Sequence, residues 1–79
     1  MYYIYIIRSL KRGMYYTGIT HDLCKRILEH NNELSQFTKS GIPWKLVWYC
    51  VYVDKYKATQ FEKYLKTASG IAFRNKRLI

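Results

Sequence analysis

The chain has 79 residues, enough for one domain with a modest core, and an aromatic content of 18%, nine of the rings being Tyr, enlarges that core. Fourteen Lys and Arg against five Asp and Glu give a formal net charge of +9. Such a bias destabilises a compact chain by self-repulsion and points to a polyanionic partner, nucleic acid ahead of an anionic membrane surface. The longest apolar run, Leu46 to Val53, is too short to span a bilayer, and no basic amphipathic helix carries an exposed Trp or Phe face, so membrane classes are set aside.

In chain order, Tyr2 to Ile7 reads as a strand rich in Tyr and Ile, without the layout of a signal peptide. Arg8 to Gly13 reads as a basic loop, and Met14 to Gly18 as a returning strand, giving an antiparallel hairpin. A glycine turn at Gly18 leads into a helix over about Asp22 to Asn31, with Thr20 as N-cap and Asp22 in the first turn, where its charge suits the helix dipole. Leu23, Ile27 and Leu28 form its apolar stripe. Glu33 to Pro43 is a polar connection. Trp44 to Val53 is apolar at nearly every position, which predicts a strand buried on both faces, in the middle of the sheet or under both helices. Asp54 caps a second helix, Lys55 to Lys66; Ser69-Gly70 breaks the chain, and Ile71 to Ile79 forms a last helical turn or two. The predicted fold is therefore α/β (α+β): one domain over residues 1–79, with a small three-stranded, mainly antiparallel sheet flanked by helices in the order ββαβα plus a short helical tail. Cys24 and Cys50 read as small buried hydrophobes in a reducing compartment, which places the protein in the cytoplasm.

Three residues disturb this bland pattern. Arg26 and His30 lie four residues apart on the first helix and border its apolar stripe, where a helix that only packed would carry Leu or Ala. Glu62 lies in the stripe of the second helix, among Ala58, Phe61 and Leu65. Asp22 and Asp54 are explained by helix starts, and Glu29 and Glu33 by solvent. Glu62 is not: a partly buried carboxylate needs a cation, either a nearby Arg or a divalent metal with oxygen ligands, unless Lys66 four residues on simply pairs with it. A zinc site from His21, Cys24 and His30 is rejected, since the three share no face and no fourth ligand lies nearby. Neither a phosphate-cradling glycine loop nor a Ser/His/Asp pattern is present.

The residues resemble the GIY-YIG nuclease domain, in particular its small stand-alone bacterial members. The first tripeptide stands here as Tyr3-Ile4-Tyr5, with Tyr for Gly, and the second as Tyr16-Thr17-Gly18, with Thr for Ile; ten residues separate Tyr5 from Tyr16. Arg26, His30 and Glu62 follow in the expected order. The resemblance implies metal-dependent hydrolysis of a DNA phosphodiester. It makes Glu62 the ligand of Mg²⁺ or Mn²⁺ and Tyr5 a general base whose phenol nearby positive charge must pull down, with Tyr16 orienting water or phosphate. Arg26 becomes the clamp on the scissile phosphate, His30 a hydrogen-bond partner of the phosphate or of Tyr5, and Gly18 a structural turn at the site. Which tyrosine is the base stays open, as does any part for Asn75.

The remaining positive charge, Lys11, Arg12, Lys25, Lys39, Lys45, Arg74, Lys76 and Arg77, suits contact with a phosphate backbone, which gives salt-sensitive affinity without reading bases. With no separate sequence-reading module in view, weak sequence specificity and a preference for branched, nicked or single-stranded DNA in repair or recombination are expected. So are a monomer or weak homodimer and no small-molecule cofactor. The alternative is a non-catalytic nucleic-acid binder that stacks bases on Tyr3, Tyr15 or Tyr49; a protein-binding scaffold comes last.

Overall fold

A computed structural model describes residues 1–79. Strands β1 (Tyr2–Ser9), β2 (Tyr15–Thr20) and β3 (Trp44–Tyr52) form one antiparallel sheet in the order β2-β1-β3. Helix α1 (Leu23–Asn31) lies on one face, while α2 (Lys55–Leu65) and α3 (Ala68–Arg77) cover the other; a 3₁₀ turn, Lys39–Gly41, precedes β3.

The middle of the sheet is β1, not β3. Ile4, Tyr5, Ile6 and Ile7 are all buried, with Tyr5 and Ile7 in the cluster under α1 and Ile4 in the cluster under α2. The difference has a local cause. A β-bulge opposite the Ile6/Ile7 step leaves Val47 without a partner in the register and swaps the faces of β3. Trp44 and Leu46 therefore pack toward α1, and Trp48, Cys50 and Tyr52 toward α2, while Lys45, Val47, Tyr49 and Val51 are exposed on this edge strand. An apolar run that looked doubly buried serves two cores in succession.

Three other expectations change. The N-cap of α1 is Asp22, whose carboxylate accepts from the Lys25 N–H at 3.1 Å; Thr20 only braces the backbone of Asp22. Ser69-Gly70 does not break the chain. Thr67 caps α3 through the Gly70 N–H, and Gly70 lets α3 start against the end of α2, since a Cβ there would stand 2.8 Å from Leu65 Cα. The tail is thus a full third helix, docked by Phe73 onto Phe61 and Tyr64. Finally, Leu28 is 62% exposed and Cys24 is exposed, so the stripe of α1 is narrower than predicted and Cys24 is not a core residue. Asp54 caps α2 as expected, accepting from the N–H groups of Tyr56 and Lys57. No helix is long and apolar enough to cross a membrane.

Candidate active site

The hairpin aligns the two motif tyrosines. Tyr5 pairs with Gly18 and Tyr16 with Ile7, which puts both phenols on the α1 face, their ring centres 6.5 Å apart. Gly18 is not a turn. It lies inside β2, and its missing side chain leaves the space that the Tyr5 ring fills: a Cβ would stand 2.5 Å from Cζ, 2.9 Å from Cε1 and closer still to Oη. The glycine is needed for close approach, not for backbone freedom.

Helix α1 presents Arg26 and His30 to that pair. His30 is completely buried; its Nε2 meets Tyr5 Oη at 2.8 Å and its Nδ1 meets Thr38 Oγ1 at 2.7 Å. Burial first, and the Arg26 charge second, push its pKa down to about 4, so the ring is neutral at pH 7. The neutral ring has one N–H, so of Tyr5 Oη and Thr38 Oγ1 one accepts from the imidazole and the other donates to it. Thr38 carries no local signal in the sequence, since it lies beyond α1 in the polar connection. That connection is pinned in place: Trp44 Nε1–H donates to the Thr38 carbonyl at 2.6 Å, Asn31 brackets the Trp44 backbone at 2.6 and 3.0 Å, and Ser9 Oγ donates to the Gly41 carbonyl.

The expected fall in the Tyr5 pKa is reversed. Burial raises it to about 12; Arg26 pulls it down, but Tyr16 and Glu62 push the same way as burial. In the free protein Tyr5 is a neutral phenol 1% exposed. Arg26 is held by Glu29 at 3.1 Å, so Glu29 is an orienting partner and not merely a solvated acid. Burial opposes the guanidinium charge, but Glu29 and Tyr5 outweigh it and the pKa of Arg26 is raised.

Glu62 completes the group from the opposite helix. It is buried in the α2 stripe, near enough to Tyr5 to act on its phenol, and forms an ion pair with Lys66, which is half exposed and reaches over the Tyr16 ring at 5.9 Å. The bland pairing with Lys66 is therefore real, and the i,i+4 spacing was the signal for it. Tyr5, Tyr16, Arg26 and His30 meet on the α1 face, and Glu62 reaches this group from α2 through Lys66 over the Tyr16 ring. The basic residues do not converge to the same degree. Arg74 lies beside β2 with its guanidinium 4.8 Å from the Tyr15 ring centre, Lys11 and Lys39 line a separate cleft of about 480 Å³ with Asn31, Asn32 and Ser40, and Arg12, Lys25, Lys45, Lys76 and Arg77 are simply exposed. Asn75 is exposed and accepts from Arg74.

Residues 1–76 match the GIY-YIG catalytic domain. The chain belongs to the GIY-YIG family. Among its relatives, a UPF0213 protein of Staphylococcus saprophyticus is 39% identical over 69 residues, spanning 86% of this chain and 83% of its own length. A UPF0213 protein of Clostridium perfringens is 37% identical over 67 residues, 84% of this chain and 71% of its own. A structure-specific endonuclease subunit SLX1 homolog of Cryptosporidium parvum is 33% identical over 66 residues, 77% of this chain but 16% of that protein. The GIY-YIG domain is that of an endonuclease family.

The buried histidine has a consequence for stability in acid. Its folded pKa of about 4 lies below the ordinary 6.5, so its contribution is fully present above pH 6.5 and is lost as pH falls toward 4. The loss is on the order of 3 kcal/mol. Thermal unfolding from pH 7.5 to 4 should show this fall, and His30→Gln should flatten it; an equally steep fall in the variant would contradict the assignment.

Proposed function

We infer that the protein is a metal-dependent DNA endonuclease of low sequence specificity that selects branched, nicked or single-stranded structures, with a place in DNA repair or recombination. The single observation that carries this reading is the approach of a buried carboxylate on α2, through Lys66 over the Tyr16 ring, to the phenol, imidazole and guanidinium gathered on the α1 face. The relation to a structure-specific endonuclease subunit homolog supports the selectivity.

The donor set fits a hydrated hard cation. Glu62 is a carboxylate whose only partner is a half-exposed ammonium that an incoming cation can replace, and the chain has no cluster of His, Cys, Asp or Glu that would cage an ion on its own. Glu62 would hold Mg²⁺ or Mn²⁺, leaving most of its sites to water and phosphate oxygens. When bound, the ion supplies Lewis-acid stabilisation of charge on the phosphate.

The chain's own residues do the rest. Arg26, oriented by Glu29, clamps the scissile phosphate and stabilises the charge that grows on it. Tyr5 acts as a relay: Oη accepts the proton of the attacking water while its own proton passes to His30 Nε2, and Thr38 Oγ1 accepts from Nδ1–H of the imidazolium so formed. A phenol held near pKa 12 suits such an exchange better than the part of a standing phenolate. Tyr16, half-buried at the rim, positions the water or the phosphate.

Supercoiled plasmid and branched oligonucleotides incubated with Mg²⁺ or Mn²⁺ should be nicked, and chelation should stop the reaction. Retention of DNA with no strand break on any of these substrates would favour the non-catalytic binder instead.

A further inference from the structure

Beside the site, on the β2 edge of the sheet, lies a groove of about 240 Å³ whose lining includes Tyr15, Tyr16, Leu65, Lys66, Ile71 and Arg74. Its charged groups are both cations. Arg74 stands over the Tyr15 ring at 4.8 Å, and Lys66 over the Tyr16 ring at 5.9 Å. Arg74 is half-buried, unlike the other basic residues of α3, and its two contacts with Asn75 Oδ1, at 3.1 and 2.9 Å, use Nε and one terminal nitrogen. The other terminal nitrogen keeps its donors. The Tyr15 ring lies against the guanidinium and limits its movement, which lowers the ordering cost of binding an oxyanion. Leu65 and Ile71 form an apolar floor. Tyr16 and Lys66 belong to this groove and to the rim of the candidate active site at once, so the two adjoin.

We propose that this groove is a second phosphate subsite, which takes a backbone phosphate of the nucleic-acid strand next to the scissile one and so sets the path of the strand across the site. The proposal deepens the nuclease reading, on which it rests for the identity of the neighbouring phosphate, and it makes Tyr15 and Lys66 binding residues alongside Arg74.

The test measures binding and cleavage separately. Binding of a fluorescein-labelled branched oligonucleotide is followed by anisotropy in chelator, where nothing is cut, across a salt series. Arg74→Gln should weaken binding about tenfold and lower the slope of log affinity against log salt by about one. Tyr15→Leu should weaken it with the charge unchanged, and Tyr15→Phe, which keeps the ring face, should restore it. Lys57→Gln controls for net charge; it is exposed on α2, nine residues before Lys66 and so about 13 Å along the helix, and should change binding less than twofold. With Mg²⁺, Arg74→Gln should raise KM and leave kcat at saturating DNA unchanged. If Arg74→Gln and Tyr15→Leu bind like Lys57→Gln, the subsite does not exist. If Arg74→Gln abolishes a thermal shift caused by inorganic phosphate yet binds the oligonucleotide normally, the groove takes free phosphate and the strand path is wrong. Loss of binding in a protein that cuts nothing would overturn the nuclease reading and leave the groove standing as a nucleic-acid subsite.

Discussion

Glu62→Gln is expected to reduce strand cleavage by about a thousandfold or more while the protein still folds and still retains DNA. The change keeps the shape of the side chain and removes only the negative charge, so it tests the carboxylate and not the packing of α2. What is lost in the fold is a pair with a half-exposed lysine at i,i+4 spacing, worth only a few tenths of a kcal/mol. What is lost in the reaction is the one buried carboxylate on which a hydrated divalent ion could seat, together with the charge stabilisation that ion supplies. Arg26→Ala should cost about 10²–10³-fold, the usual effect of deleting one donor aimed at developing charge. The two variants separate in a metal titration. Added Mn²⁺ should partly rescue Glu62→Gln, whose defect is occupancy, and should do nothing for Arg26→Ala, whose defect is the phosphate contact. Cleavage by Glu62→Gln at the wild-type rate would end the proposal that this carboxylate holds the ion.

The second large effect is expected from Gly18→Ala, a single methyl group with no charge. Its Cβ would overlap the Tyr5 ring, and Tyr5 has nowhere to retreat: it is 1% exposed, packed with Ile7 and Trp44, and tied to His30 at 2.8 Å. Overpacking of this kind costs about 1–3 kcal/mol. If the ring moves, the buried Nε2 of His30 loses its partner, at a further cost of about 1–3 kcal/mol. For a chain of this size each kcal/mol lowers Tm by roughly 4–8 °C, so a fall on the order of 10 °C is expected. Activity should fall further than stability, because the displaced atom is the one proposed to carry the proton. Adding Tyr5→Phe removes the overlap with Oη and should return part of the Tm without returning any cleavage. Wild-type Tm and activity in Gly18→Ala would show that the ring is free to shift and that the hydroxyl is not held where it matters.

That glycine also marks the limit of what a sequence reading can say. Its place after the second motif tyrosine was legible, but its reason was not. A turn was the natural expectation, whereas the register of β1 on β2 sets Gly18 opposite a ring from another strand. The Tyr5 pKa shows the same limit. Counting charges along the chain predicts a phenol pulled down by Arg26, but burial, which depends on α1, Trp44 and β2 closing over the ring, is the larger effect and has the opposite sign. Thr38 and the partnership of Arg26 with Glu29 were missed, the first because its contact is made through a loop, the second because i,i+3 pairs on a basic helix are usually weak and solvated.

The hairpin, the three main helical and strand segments after it, the Asp54 cap and membership of the GIY-YIG family were all readable from the residues alone, since each depends on spacing of a few positions or on motif order. Which strand is central, which face each half of β3 serves, the full length of α3 and the protonation of the buried pair Tyr5 and His30 were decided only by the folded chain. Period and propensity report what a segment can bury. A one-residue bulge and the closure of a core over a polar group are set by segments far apart in sequence, and those decide what is buried and against what.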